Sequence, residues 1–462
     1  MQGFKRVVRR LLVISLAAAL LGACSGPKLA PEATRAVLPE LPPMQNFAAT
    51  RADIPRRSNT AMAQDFVDLT FQLESGRPLP VLTRFEGPVR VRLAGTVPPT
   101  ASTDLARLLA RLRNEAGLDI ALAHNGQVPQ ITVEFLPRAS MQRFVPRAAC
   151  FVAPRVGSWE DYRRARRDTL DWATLTVRKR AAIFIPNDTA PQEIRDCLHE
   201  ELAQALGPLN DLYSLSDSVF NDDNIHTVLT GFDMLMLRVT YDPELRSGMT
   251  ASEVAARVPG ILSRLNPRGI GVGGRASDPT PRDYANAIET ALGPGTLAPR
   301  RRAAAKRAVD IALARGWRDA RAGFAWLALG RLSLGHDARQ AEAAFAQASK
   351  IYHRGAGLAL QAAHADMQLA AFALSEGRAE DVLALTESAL PEAAGAENAA
   401  LLSSLLMLRA EALDLVGRAS EARQVRLDSL AWGRYGFASD AEVVERVLGI
   451  AALSSASRTG HP

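Results

Sequence analysis

The sequence has almost no excess charge once its first residues are set aside. The 462 residues include 55 Lys and Arg against 49 Asp and Glu, a formal net charge of +6. Residues 1–23 contain four basic residues and no acidic residue, so the rest of the chain carries 51 basic against 49 acidic side chains. Binding to nucleic acid depends on a larger positive excess. We therefore exclude nucleic acid as an expected partner.

The chain also offers only a short apolar run near its start. "LLVISLAAALL" (residues 11–21) falls short of the roughly 20 residues that a membrane-spanning helix needs. It follows a basic stretch and ends in "LGAC" at Cys24, which resembles the lipobox of a bacterial lipoprotein signal peptide. This resemblance implies cleavage before Cys24 and lipidation of its thiol, and Ser25 resembles the signal for outer-membrane sorting. We expect a periplasm-facing lipoprotein attached to the outer membrane; a plain N-terminal membrane anchor is the alternative.

Cysteine is scarce, with three residues in the whole chain. If Cys24 is lipidated, Cys150 and Cys197 remain in an oxidising compartment, where a disulfide is the usual state of such a pair. Two unpaired buried thiols are the alternative. The bridge would close a long loop and stabilise the fold by about 3–4 kcal/mol.

Composition divides the chain into five segments. Prolines among small and polar residues after the signal peptide indicate an extended, poorly ordered tether. The remaining length suffices for two domains. The predicted segments are a signal peptide (1–23), a tether (24–60), a mixed domain (61–265), a linker (266–297) and a helical domain (298–455).

Residues 61–265 combine strand and helix patterns. In "PVRVRLAG", valines alternate with Arg90 and Arg92, which is the period of a half-exposed strand. "STDLARLLARLRNEAG" repeats leucines on one helical face and ends at Gly117. "AAIFIPND" is a short apolar strand that precedes a long helix. The order predicts an α+β fold in which a mixed sheet packs on that helix.

The segment 298–455 is rich in Ala and Leu and has little strand propensity. Gly335, Gly377 and Gly417 are spaced 42 and 40 residues apart, and each precedes a polar turn and an amphipathic helix. This pattern resembles degenerate tetratricopeptide repeats, and a generic helical bundle is the alternative. Such an array usually binds a protein or peptide partner.

Histidines are missing where a zinc-binding helix needs them. In "CLHEELAQALGPLND", His199 and Glu200 would open an H-E-x-x-H motif. The place of the second histidine is taken by Ala203, which has no metal-binding group. A standard zinc motif in this register is therefore excluded.

Moved by one residue, "EELAQALGPLN" resembles the metzincin pattern H-E-x-x-H-x-x-G-x-x-H/D. In that family three ligands hold zinc and a glutamate acts as general base. The resemblance implies Glu201 as the catalytic base and places Glu200, Gln204 and Asn210 at the ligand positions. Asp211, the neighbour of Asn210, is an alternative third ligand.

Other segments extend the resemblance to one bacterial family. Downstream "SVFND", "LTGFD" and "YDPELRSGMT", and upstream "DFVDLTFQLESG" and "RFEGPVRV", are similar to domain of unknown function 2927. The similarity covers roughly 61–265 and does not include the helical repeats. It implies a metzincin-like fold, and the family name itself implies no activity.

The residue types at the ligand positions predict weak metal binding. Zinc prefers imidazole or thiolate, whereas one carboxylate and two amides form a harder and charge-poor set. We expect no cofactor, or at most a weakly bound divalent metal.

These observations predict an envelope lipoprotein whose metallopeptidase-like domain binds peptide or protein without cleavage, while the helical repeats dock a protein partner. The alternative is an active metal-dependent peptidase that uses Glu201 as general base with non-standard ligands. A purely structural envelope spacer is a third interpretation. It would leave Glu200, Glu201 and Gln204 freely replaceable.

Overall fold

Five strands form one mixed sheet in the N-terminal half of the chain. They are β1 (Val89–Gly95), β2 (Ile120–Leu122), β3 (Ile131–Leu136), β4 (Phe151–Pro154) and β5 (Ala181–Pro186). Their order across the sheet is β2-β1-β3-β5-β4. The first four of these are parallel neighbours, and β4 is antiparallel to β5. The edge strand β4 therefore runs opposite to its neighbour β5.

The computed structural model describes residues 41–48, 52–55, 57–274 and 278–458. The described residues from Pro42 onward form one compact unit. The predicted signal peptide, Cys24 and the first part of the tether lie outside the described residues. Within the described ranges, no helix combines the length and the apolar character needed to cross a bilayer.

Seven α-helices accompany the sheet. They are α1 (Asn59–Thr70), α2 (Ala101–Ala116), α3 (Arg138–Gln142), α4 (Trp159–Arg164), α5 (Pro191–Leu206), α6 (Gly231–Thr240) and α7 (Ala251–Leu265). The main core lies between the sheet and α1, α2, α5, α6 and α7. A smaller aromatic cluster around Phe151, Trp159, Tyr162 and Phe184 covers the other face of β4 and β5. Because both its faces are covered, β5 is buried along its whole length.

The rest of the described chain is helical. Its helices are α8 (Arg282–Leu292), α9 (Ala298–Ala314), α10 (Ala320–Ser333), α11 (Ala338–Arg354), α12 (Ala359–Ser375), α13 (Ala379–Gly395), α14 (Ala399–Leu415), α15 (Ala419–Gly436) and α16 (Asp440–Arg458). The prediction of an α+β region followed by an all-helical region is confirmed. The interval 266–297, predicted as a linker, includes α8, which packs on α9.

Three helical hairpins follow the glycine spacing seen in the sequence. Gly335, Gly377 and Gly417 lie in the turns α10–α11, α12–α13 and α14–α15, with φ of 73°, 73° and 78°. A residue with a Cβ adopts this left-handed conformation only with strain, which explains glycine at the end of each first helix. The predicted helical repeats are therefore present as hairpins.

Both predicted cysteine partners form the expected bridge. Cys150, just before β4, is bonded to Cys197 in α5. The pair connects the edge strand to the helix that packs beneath it, across a sequence separation of 47 residues. The alternative of two free thiols is excluded.

Part of the segment predicted as a poorly ordered tether packs on the helical region. The Phe47 ring stacks on Trp432 at a centroid distance of 4.4 Å. The Gln45 backbone N–H donates to the carbonyl of Ala431, and Arg434 donates to the carbonyl of Pro42. Residues 42–48 are therefore held by the fold rather than extended away from it.

Candidate functional site

The helix that carries the metzincin-like pattern ends in a tightly bonded turn. The Arg178 guanidinium donates to the carbonyls of Gln204, Ala205 and Gly207, at 2.6, 2.7 and 2.5 Å. The Tyr241 hydroxyl donates to the carbonyl of Leu206 at 3.0 Å. These donors satisfy the carbonyls that the last turn of α5 leaves without helical partners. The path of residues 207–211 is fixed as a result.

A cavity of about 530 Å³ opens between β4 and the side of α5 that carries Glu200, Glu201 and Gln204. The exposure of its side chains decreases from the mouth to the base. Glu74 is exposed at the mouth, Glu200 and Asp211 are partly buried, and Glu201 and Gln204 are buried. The residues that line it are Leu73, Glu74, Ser75, Arg147, Ala148, Ala149, Cys150, Phe151, Val152, Trp172, Glu200, Glu201, Gln204, Leu209, Asp211, Asp222 and Asn224. Most of its ionisable groups are carboxyls.

Glu201 lies at the bottom of the cavity with one carboxylate oxygen unbonded. The Val152 backbone N–H interacts with the Glu201 carboxylate and lowers its pKa in part. The atom Oε2 of the same group is buried and has no hydrogen-bond partner. Burial, followed by the charge of Glu200, raises the pKa of Glu201 well above its usual value.

The neighbouring carboxyls act on one another. Incomplete access to water, together with the charges of Asp222 and Glu74, raises the pKa of Glu200 to about 8. Asp211 lies near Glu74 and accepts a hydrogen bond from Gln204 Nε2 at 3.4 Å through Oδ2, while its Oδ1 is buried without a partner. Burial and the charge of Glu200 raise the pKa of Asp211 well above its usual value. A cavity of this kind favours protonated carboxyls or a cationic guest.

The third predicted ligand position lies elsewhere. The Asn210 side-chain amide donates to the backbone carbonyl of Asp68 in α1 at 2.9 Å. Asn210 is not among the residues that line the cavity, whereas its neighbour Asp211 is. The chain after Gly207 therefore brings Glu200, Glu201, Gln204 and Asp211 together and directs the Asn210 amide into the α1 backbone.

His199 holds α5 to the loop before α6. Its Nδ1 accepts a hydrogen bond from the Leu229 backbone N–H at 3.1 Å, and the side chain is buried. Burial lowers the pKa of His199 well below 6.5, so the ring is neutral. This geometry agrees with a hydrogen-bonded structural histidine.

The downstream motif residues tie a loop to α6. Asp233 accepts hydrogen bonds from the Ser218 hydroxyl at 2.5 Å and from the backbone N–H groups of Val219 and Thr230, at 3.2 and 2.7 Å. Thr230 and Asp233 together form a capping box at the start of α6. A Cβ on Gly231 would lie 1.5 Å from the carbonyl oxygen of Asp53, so only glycine fits in "LTGFD". The role of this motif in the structure is to fix the backbone.

The donors at the predicted metal positions do not fit a zinc ion. Glu200 and Gln204 supply a carboxylate and an amide, and Asn210 is committed to Asp68. No group of three or more His, Cys, Asp or Glu within the described residues is arranged to hold a metal. Zinc sites are built from imidazole and thiolate with a few carboxylates.

Two carboxyls of the cavity were not predicted as site residues. Glu74 lies in the family-like segment "DFVDLTFQLESG", and Asp222 lies in "SVFND". The sequence signal that pointed to them was their position inside these segments.

Fold and site together define an α+β domain with an acidic cavity beside its edge strand, joined to helical repeats. Residues 59–260 match the family described as Protein of unknown function (DUF2927). The match supports the resemblance to this family over the sheet-containing region and does not extend to the hairpins. No curated protein matches the chain, and no solved structure does.

Proposed function

We propose that the chain is an envelope lipoprotein whose metzincin-like domain binds a peptide or protein segment without cleaving it. The proposal rests on what the side chains at and beside the predicted ligand positions contact in the structure. Asn210 bonds to the α1 backbone and His199 bonds to Leu229, so the donors that remain in the cavity are the carboxyls and the amide of Glu200, Gln204 and Asp211, with no imidazole or thiolate. Without a tightly held metal, Glu201 has no activated water on which to act as a base.

The sheet and α5 support the metzincin-like part of this proposal. The long helix after β5 carries Glu200, Glu201 and Gln204 toward a cavity beside the edge strand β4. An extended segment of a partner would lie along such a cavity, between a sheet edge and a helix. The Cys150–Cys197 bridge agrees with folding in an oxidising compartment, where a lipoprotein with lipid on Cys24 would be found.

The hairpins α10–α15 support a second binding surface. Arrays of stacked helical hairpins that resemble tetratricopeptide repeats present extended surfaces to proteins and peptides. In this proposal the lipid anchors the protein to the membrane, the repeats dock a protein partner, and the cavity holds a segment of that or another polypeptide.

The test is a comparison of cleavage and binding by the wild type and Glu201→Gln. We expect no chelator-sensitive cleavage of a fluorogenic peptide library, with or without added Zn²⁺ or Ca²⁺, and saturable binding of a subset of the peptides. The metal content of protein never exposed to chelator is measured alongside.

The alternative, an active peptidase, predicts a different pattern. Cleavage would depend on metal, stop with chelator, and fall at least about a hundredfold in Glu201→Gln because its general base is lost. That result, with one metal held per chain, would refute the proposal. A matched variant, Glu387→Gln on the exposed side of α13, is expected to behave as wild type in either case.

A further inference from the structure

The cavity collects acidic side chains with few basic ones beside them. Its carboxyls are Glu74, Glu200, Glu201, Asp211 and Asp222. Among the described residues that line it, one is basic, Arg147, and that side chain is exposed. Arg282 lies near Glu74, but its guanidinium is bonded to the carboxylate of Glu289 at 3.2 Å and to the Glu74 backbone carbonyl at 3.0 Å. The cavity therefore lacks an internal counter-charge at its base.

The buried oxygen of Glu201 points to a missing partner. Glu201 is 5% exposed and lines the cavity, and its Oε2 is buried without a hydrogen-bond partner. Buried polar atoms are satisfied in the large majority of cases, because an unsatisfied one costs about 1–3 kcal/mol. A donor that enters the cavity would complete the bonding of Glu201.

The shape of the cavity favours an organic cation over a bare metal ion. A volume of about 530 Å³ is in the range of pockets that hold organic groups. The carboxyls extend from the mouth to the base, and the described residues contain no converging group of three or more metal-binding side chains. Leu73 and Leu209 add apolar wall that suits an aliphatic stem.

We propose that this cavity binds the side chain of a lysine or arginine in a polypeptide, with the ammonium or guanidinium group donating to Glu201 Oε2. The proposal rests on the peptide-binding function above and specifies its ligand. The aliphatic stem packs against the apolar wall, while Glu200 and Asp211 surround the cation on its way to the base. Charge-assisted hydrogen bonds of this type are stronger than neutral ones.

The test is calorimetric titration of the full chain with three probes. The first is a capped heptapeptide of serine and alanine with one central lysine, and the second replaces the lysine with uncharged norleucine. The third is 1,5-diaminopentane, which has an ammonium group at each end of an aliphatic chain and no peptide backbone. We expect the lysine peptide to bind at least about tenfold more tightly than the norleucine peptide, which cannot make the charge-assisted hydrogen bond. Tenfold in affinity corresponds to about 1.4 kcal/mol, which is within the contribution of one such bond.

Variants assign the binding to the cavity. Glu201→Gln is nearly isosteric and replaces a carboxyl that ionises beside a bound cation with a neutral amide, so the lysine peptide should bind at least about tenfold more weakly to it. Asp211→Asn serves as a second variant if Glu201→Gln fails to fold by circular dichroism. Glu387→Gln is the matched control, and its affinity should equal that of the wild type.

Each outcome separates this proposal from the function on which it rests. Equal binding of both peptides, unaffected by Glu201→Gln, overturns the cation site and leaves peptide binding intact. Glu201-dependent binding of diaminopentane but of no peptide supports the cation site and overturns the peptide-binding function. Binding of Ca²⁺ or Mg²⁺ alone that requires Glu201 and excludes the lysine peptide overturns the proposal in favour of an inorganic cation. No binding of any probe overturns both.

Discussion

Glu200 and Glu201 are adjacent in the sequence and meet different surroundings. Successive residues on a helix point about 100° apart, so Glu201 faces the base of the cavity and Glu200 faces its outer part. Glu201 is buried next to the Val152 backbone, whereas Glu200 is partly exposed and feels the charges of Asp222 and Glu74. One helix thus supplies two carboxyls that differ in access to water and to a ligand.

Glu200 makes stability dependent on pH in an unusual direction. Its pKa rises from 4.5 to about 8 on folding, so the folded state holds a proton that the unfolded state releases. The stabilising effect of this proton is complete below pH 4.5 and is lost as the pH rises toward 8. We expect the free energy of unfolding to fall over this window, and Glu200→Gln to reduce the fall by on the order of 2 kcal/mol.

Urea denaturation at pH 5, 7 and 9 measures this effect. The control is again Glu387→Gln, which should follow the wild-type pH dependence. Parallel pH profiles for wild type and Glu200→Gln would show that Glu200 is not the group responsible.

At the scale of elements, two helices of the first region begin with the same device in different environments. Thr230 and Asp233 form a capping box for α6, and Thr250 and Glu253 form one for α7. Asp233 is fully buried and also holds Ser218 and Val219, while Glu253 is exposed. The buried box therefore connects two segments, and the exposed box serves one helix.

We expect Asp233→Ala to destabilise the protein by about 3 kcal/mol, because the backbone donors of Val219 and Thr230 would stay buried without an acceptor. Glu253→Ala is the matched change at the exposed box and should produce a much smaller loss. Both are measured as free energies of unfolding in urea. Equal losses would mean that burial of the box contributes nothing.

Local patterns explain how much of the architecture was predictable from the sequence. The period of β1, the turn glycines of the hairpins and the disulfide depend on spacing, charge and compartment, and the structure confirms them. The arrangement of the cavity depends on tertiary packing, which brings Glu74 to Asp211 and Asp222 across long stretches of chain. The side-chain direction of Asn210 depends on the backbone turn after Gly207, and the docking of Phe47 on Trp432 has no local signal.

On the scale of the whole molecule, α5 connects the sheet region to the helical hairpins. Its Arg195 forms a buried ion pair with Glu397 in the turn between α13 and α14. Nearby, Gln192 Nε2 donates to Asn398 Oδ1 at 3.1 Å, and the Tyr435 hydroxyl donates to Asp104 at 2.9 Å. The face of α5 opposite the cavity is thus part of the junction.

We expect Arg195→Met to destabilise the folded chain by about 3 kcal/mol, since it leaves a buried charge on Glu397 without this partner. The double change Arg195→Met with Glu397→Leu should recover much of the loss, because both charges are then absent. Equilibrium denaturation of the single and double variants gives the coupling energy.

An exposed ion pair that also involves α5 provides the control. Arg138 and Glu193 are paired at 2.6 Å with side chains 31% and 38% exposed. Arg138→Met should have a small effect, because solvent screens an exposed pair. The single variants Arg195→Met and Glu397→Leu are measured separately. If their losses add up to the loss of the double variant, the pair is not coupled.

The bond between Cys150 and Cys197 joins the edge-strand side of the cavity to its helical side. A binding cavity whose two sides are joined by a disulfide loses conformational freedom when the bond forms, before any ligand binds. Selectivity among ligands then depends mainly on the conformational entropy that each ligand side chain loses on binding. The planar, pre-organised head of arginine loses less of it per hydrogen bond than the freely rotating amine of lysine. If the proposed cation site is correct, arginine should therefore bind this rigid acidic cavity more tightly than lysine.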